Sequence, residues 1–234
     1  MEHDLWDTQA SYTWFQSQAS AAALGPITPG FFAARLSLLE PFSTGKANIH
    51  LHYNMFDWDL GRAFLLSNHL FLRPSIGIRA GWITQKIHSH WTRSDFIAAI
   101  ENLKQSFKGG GPKGAITSKW YLGNIQKHLF SLISTFEAAY LWGHWSIHDH
   151  YEDNLATTIS TNTTPRSFAS LALHAFIGLG WDLNFDRDRS HFGFKFGYEI
   201  EDWFNQCQLF TNINGAQNND LILQGLTASL SFDF

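Results

Sequence analysis

Three His-x-His pairs are the first candidates for chemistry in this chain: His50/His52, His88/His90 and His148/His150, with His144 close to the last. On a strand, residues i and i+2 share a face, so each pair could offer two imidazoles to zinc or copper. The second and third pairs fall in or beside segments read below as long loops, and no recurrent acidic or cysteine ligand accompanies them. They are read as surface histidines, and no metal site or cofactor is assigned. Asp57/Asp59 and Glu199/Glu201 are same-face carboxylate pairs. Glycosidic acid–base work needs carboxyls about 5–9 Å apart, a distance that any same-strand pair meets, so the pairs select no reaction. Gly109–Gly114 includes Lys113 but lacks the residue order that cradles phosphate. The single cysteine, Cys207, excludes an intrachain disulfide and any multi-cysteine metal centre. No Ser/His/Asp order stands out, no catalytic residue is assigned, and the chain is read as a non-enzyme.

These residues must be positioned by a chain of 234 residues, enough for one domain spanning 1–234. Aromatic residues make up 16% and charged residues only 15%, a balance opposite to that of disordered chains. A net charge of −4 leaves no basic footprint for nucleic acid. Mean hydropathy is −0.16, and nothing approaches the ~20 apolar residues of a spanning helix. Two classes remain: an aromatic-rich soluble β-protein, or a membrane β-barrel whose strands hide their hydrophobicity by alternation. The start, Met1 to Asp7, carries no basic, apolar or small-residue pattern of an export signal.

Period-2 alternation dominates the chain. Leu70, Leu72, Pro74, Ile76, Ile78, Ala80 and Trp82 alternate with Phe71, Arg73, Ser75, Gly77, Arg79 and Gly81. Residues 166–185 alternate in the same way through Leu179 and Trp181, as do Phe192–Ile200 through Phe194 and Phe196, and Leu226–Phe234 through Leu230 and Phe232. Weaker alternation covers 129–147 and 47–66, the latter with a phase slip near Met55 that suggests a bulge. Segments 5–16 and 118–126 complete a set of about eight strands. The gaps alternate between long (17–46, 87–117, 148–165, 206–220) and short (67–69, 127–128, 186–190). Outer-membrane barrels have this asymmetry, with short periplasmic turns and long outside loops. Within one long gap, Ser94 as N-cap with Phe96, Ile100, Leu103 and Phe107 at helical spacing predicts a short amphipathic helix over about 94–107. Gly109-Gly110-Gly111-Pro112 would stop it.

Residue size assigns the faces. One face carries Leu, Ile, Phe and Trp; the other carries Gly, Ser, Ala and Thr with few charges, unlike a solvated exterior. The expectation is an all-β, antiparallel transmembrane barrel. Leu72, Ile76, Ile78, Trp82, Leu179, Trp181, Phe194, Phe196, Leu230 and Phe232 would face lipid. Asp57, Asp59, Arg73, Arg79, Glu137, Asp182, Lys195, Glu199 and Glu201 would line the pore. Two aromatic girdles are expected: Phe64, Trp181, Phe185, Phe192, Phe232 and Phe234 near the short turns, and Trp82, Trp142, Trp145, Phe168, Trp203 and Phe204 near the long loops. Strict alternation points Arg62 at lipid, which snorkelling or a bulge at Gly61 would relieve. A soluble β-barrel or sandwich binding an apolar or sugar ligand is the alternative reading.

The stretch Tyr53–Arg62, containing Asp59-Leu60-Gly61-Arg62, and the block Arg73-Pro74-Ser75-Ile76-Gly77 resemble the MOMP-like family of pore-forming outer-membrane proteins known from legionella- and chlamydia-type bacteria. Leu141-Trp142-Gly143-His144, Gly197-Tyr198-Glu199-Ile200 and Leu223-Gln224-Gly225-Leu226-Thr227 extend the likeness from about Trp6 to Phe234. The resemblance implies a location in the cell outer membrane and a porin-like or structural role, with membrane lipid and small solutes or ions as partners. Phe234 looks like the signal read by the barrel-assembly machinery, and a homo-oligomer is a further partner state left open. Relatives begin with a signal peptide and additional strands, so the resemblance implies that this chain lacks N-terminal strands.

Overall fold

The computed structural model describes residues 6–27, 41–125, 128–156, 158–162, 166–185, 190–211 and 215–233. Its strands are β1 (Trp6–Ile27), β2 (Phe42–Arg62), β3 (Phe64–Ser67), β4 (Leu70–Thr92), β5 (Ala98–Ile125), β6 (His128–Asp153), β7 (Thr158–Asn162), β8 (Arg166–Phe185), β9 (Ser190–Thr211) and β10 (Gly215–Asp233). All lie in one antiparallel sheet. The long strands follow one another in chain order, while β3 adds to β4 and β7 to β6. Among the described residues β1 pairs only with β2 and β10 only with β9, so the sheet curls as an open half-barrel.

The strands are longer than the alternation indicates. β5 runs for 28 residues and β6 for 26, against about 9–11 for a tilted membrane-spanning strand. The long gaps shrink accordingly. Only residues 93–97 separate β4 from β5, β6 continues to Asp153, and β9 and β10 take most of 206–220. The predicted helix over 94–107 is not formed. From Ala98 onward this stretch is strand, paired with β4 on one side and, from Ala99, with β6 on the other. Its helical spacing arises because Leu103 and Phe107 point inward, Ile100 lies on the opposite face, and Phe96 sits in the turn at φ 66°. Gly109–Pro112 does not end an element either; it lies mid-strand. The β5–β6 ladder skips two rungs at Gly111 and Pro112, where Pro112 has no N–H to give.

The register of β2 runs unbroken past Met55 against β4, so the expected bulge is absent. The phase slip has another cause: the apolar side chains change faces. From Phe56 to Leu60 they point outward and are exposed, whereas Leu51, Tyr53 and Met55 point inward and are buried. β4 repeats the inversion, with Ile76, Ile78 and Trp82 outward and Ile83 inward. In β6, Phe136, Tyr140 and Trp142 face out, and Leu141, Trp145 and Ile147 face in. The level of change is the cross-strand row Asn54, Trp82, Lys108 and His144. On both sides of it the inward residues form a core of Leu51, Tyr53, Met55, Ile83, Phe107, Leu141, Trp145 and Trp203, against which Leu221 and Leu223 pack. Trp145 and Trp203 are therefore core residues, a correction to their expected place in the outer girdle, whereas Trp82 and Trp142 remain on the outside.

At the short-turn end Arg62 is not relieved by a bulge, since Gly61 keeps its register. Its guanidinium instead lies 5.8 Å from the ring centroid of Trp6 and 5.1 Å from that of Phe64, an arrangement in which the ring quadrupoles attract the cation. Pairing between β2 and β4 ends at Gly61–Ser75 and resumes at Phe64–Leu72, so Pro74 falls in the gap of the ladder. Of the expected outward residues, Leu72, Ile76, Ile78, Trp82, Leu179, Trp181, Phe194, Phe196 and Leu230 share the convex face by register. The Phe232 side chain and Phe234 lie outside the described residues.

Candidate functional site

The concave face carries a belt of charge below the apolar core. Arg79 is its centre. Asp57 is its direct neighbour across the β2–β4 ladder, and Gly111 faces it from β5. Gly77 and Gly81 flank it on its own strand face, so small residues leave the space that a long side chain fills. Arg79 Nε and Nη2 donate to Asp57 at 2.7 and 3.2 Å, Nη1 donates to Glu201 at 2.7 Å, and Nη2 also reaches Glu137 at 3.1 Å. β9 is not a neighbour of β4, so the Glu201 bond bridges the interior of the curl.

Lys113 supplies the second buried cation. Its Nζ donates to Asp59 at 2.9 Å and lies 3.2 Å from Glu137 and 3.4 Å from Asp57. His174, on β8, has Nε2 3.6 Å from Glu199 and Nδ1 3.8 Å from Glu137. The Tyr53 hydroxyl donates to Glu201, closing the network beneath the apolar core. Arg79, Lys113 and Asp57 are all nearly excluded from solvent. Burying such charges is tolerable only because each has close, opposite partners.

Two further pairs lie toward the short turns. Arg73 reaches across β2 to the carboxylate of Asp7 on β1. It passes over Gly61, where an added Cβ would sit 2.4 Å from the guanidinium carbon. Lys119 Nζ donates to Asp182 at 2.6 Å. Lys195 instead sits over the ring of Phe176, 4.6 Å from its centroid.

Six of the expected lumen residues, Asp57, Asp59, Arg79, Glu137, Glu199 and Glu201, thus meet in one network, while Arg73 and Asp182 form separate pairs. All face a trough of about 1320 Å³, except Arg73 and Asp182, and its rims are formed by β1 and by Leu221–Leu226 of β10. Sequence reasoning missed Lys113, His174, Tyr53, Lys119 and Asp7. Lys113 was hidden because its surroundings read as a glycine-rich loop. His174 could have been found, since it alternates inward between Leu173 and Ala175 on a well-marked strand.

This geometry, a curled antiparallel sheet with an apolar convex belt and charge inside, is that of an outer-membrane strand protein. A family model described as Legionella pneumophila major outer membrane protein precursor matches residues 3–234. The chain belongs to that family. It is a protein of the cell outer membrane, and its all-β, half-barrel architecture is consistent with a membrane β-barrel. No curated protein and no solved structure matches it. The blocks that carry the likeness acquire a physical reading in this member of the family. Asp59 of the Asp-Leu-Gly-Arg block is the cross-strand partner of Gly77 in the Arg-Pro-x-Ile-Gly block, and Gly61 of the first makes room for Arg73 of the second.

Proposed function

We propose that this major outer membrane protein relative forms a porin-like pore that prefers cations, with its convex apolar belt against lipid. The observation that carries the reading is the inner belt. Asp57, Asp59, Glu137, Glu199 and Glu201 outnumber the formal cations Arg79, Lys113 and Lys195 along one trough. A ring of excess carboxylate in a narrow lumen attracts cations and repels anions, and the field acts more strongly there than on an open surface. Arg73 and Arg79, expected from sequence to line the pore, are buried against carboxylates.

Planar-bilayer recording of the refolded chain tests this. The expected result is conductance with a reversal potential on the cation side in a salt gradient, shifted toward non-selectivity by Asp59→Asn with Glu199→Gln. Anion preference in the folded protein would overturn the reading.

A second reading, a structural envelope protein with a filled interior, is favoured by one observation: Phe107, Leu141 and Trp203 are completely buried on the concave side. Folded protein that inserts without conductance would decide for it.

A further inference from the structure

Just beyond the level where the apolar residues turn inward, the convex face becomes a continuous basic surface. Cross-strand pairing sets His50 beside Lys86, Lys86 beside Lys104, and Lys104 beside His148, a row of four cationisable side chains across β2, β4, β5 and β6. At about 4.8 Å between strands the row is roughly 14 Å wide. The next row outward runs Asn48, His88, Asn102 and His150 across the same four strands, so Asn102 separates the two imidazoles. His88 Nδ1 lies 2.5 Å from Asn102 Oδ1, and His148 Nδ1 lies 2.7 Å from Asn162 Oδ1, so each ring is held to a neighbouring strand through Nδ1. Nearer the apolar belt, Lys108 stands directly opposite Trp82 and beside His144. The three His-x-His pairs of the sequence are thus neighbours on one surface.

Two physical features favour an external anionic partner. Like charges directly opposite on a sheet are destabilising, and Lys86 faces Lys104 in this way. Among the described residues none of Lys46, Lys86, Lys104 and Lys108 forms a salt bridge, and the one acid on this face of the four strands is Glu152, 3.9 Å from His150. The surface is exposed and begins at Trp82 and Trp142, side chains of the kind that settle at a water–lipid boundary. A basic band at that depth meets headgroups before anything else.

We propose that this surface binds the phosphate groups of an outer-leaflet glycolipid, with Lys86 and Lys104 as the main charge contacts and His50 and His148 as flanking donors. A metal occupant is disfavoured by the pairing, because lysines and asparagines separate the imidazoles and no group of three ligating side chains forms among the described residues. The outer-leaflet assignment rests on the reading that the short turns face the periplasm. The binding test below does not depend on it, so the two can fail separately.

The test is retention of bisphosphorylated lipid A by the folded full chain in zwitterionic micelles, read by native mass spectrometry against the same lipid with its phosphates removed. The expected result is selective retention of the phosphorylated form, lowered roughly tenfold by Lys86→Gln with Lys104→Gln. Lys86→Arg with Lys104→Arg keeps the charge and should retain binding, which separates lost contacts from lost folding. Equal retention of both lipids, or retention unchanged in the double glutamine variant, would overturn the proposal. Displacement of the lipid by millimolar inorganic phosphate would also overturn it, since the surface would then be a free-anion site.

Discussion

The guanidinium of Arg79 lies 2.7 Å from the carboxylate of Glu201, 122 residues further along the chain, and the bond spans the interior of the curled sheet. It ties the fourth strand to the ninth, which share no ladder. Removing Arg79 leaves Asp57, Glu137 and Glu201 crowded without their common cation. Breaking a buried pair from one side costs about 3–5 kcal/mol. Arg79→Gln should therefore fold poorly in detergent, measured as loss of the heat-modifiable band on a gel. Glu201→Gln in the Arg79→Gln background should restore part of the yield, because one unpaired charge is removed with the other.

Gly61 is a slot rather than a bend. Gly61→Ala places a methyl group where the Arg73 guanidinium now lies. The side chain can swing away, but only by leaving Asp7. Denaturant titration of refolded protein should show Gly61→Ala and Asp7→Asn destabilising by similar amounts, with little further loss when the two are combined. Full additivity would mean that Gly61 does not act through Arg73.

Glu101 predicts a pH dependence outside the membrane-spanning part. It is 1% exposed, and Asp149, diagonally across on β6, is 3% exposed. Burial first, and the Asp149 charge second, push the Glu101 carboxyl up to about 8, against which the nearby Trp91 indole N–H acts in the other direction. The folded state therefore holds a proton that the unfolded state has released between about pH 4 and pH 8. Stability of the β5–β6 hairpin should fall as pH rises through that window and level off above it. Hydrogen exchange at Leu103 and Ile147 should follow this slope, and Glu101→Gln should flatten it.

Phe107 fills the interior beside two glycines. A Cβ at Gly143 would sit 2.1 Å from its ring, and one at Gly109 would sit 2.6 Å away. Trp145 packs on its other side with ring centroids 4.3 Å apart. Phe107→Ala should cost about 3–5 kcal/mol, and Gly143→Ala should also destabilise by forcing the ring aside. Proteolysis of the outer hairpins should accelerate in both, while the strands carrying the apolar convex belt stay protected.

The strands of the apolar belt were legible because their alternation has one sense: large outside, small or charged inside. Ile76, Ile78, Leu179 and Phe196 show it without ambiguity. Above Trp82 the same period persists but its sense reverses, so the sum over a window cancels. That cancellation made 87–117 read as loop, gave 94–107 the spacing of a helix, and turned the reversal in β2 into an apparent bulge at Met55. The charged residues of the belt were legible as a set on one face. Their partners were not, because Arg79 and Glu201 are brought together by curvature, which no local pattern encodes. The histidine pairs read as isolated for the same reason: only the register of four strands makes them one surface.

The reversal at the Trp82–Trp142 level is the central claim, and spin labels placed along the convex face of β4 measure it directly. Labels at Ile76 and Ile78 should relax with oxygen, which concentrates in lipid. Labels at Lys86 and His88 should relax with a water-soluble nickel chelate. The predicted result is an exchange of these accessibilities between positions 78 and 86 in reconstituted membranes. Uniform oxygen access, or uniform chelate access, along all four positions would contradict it.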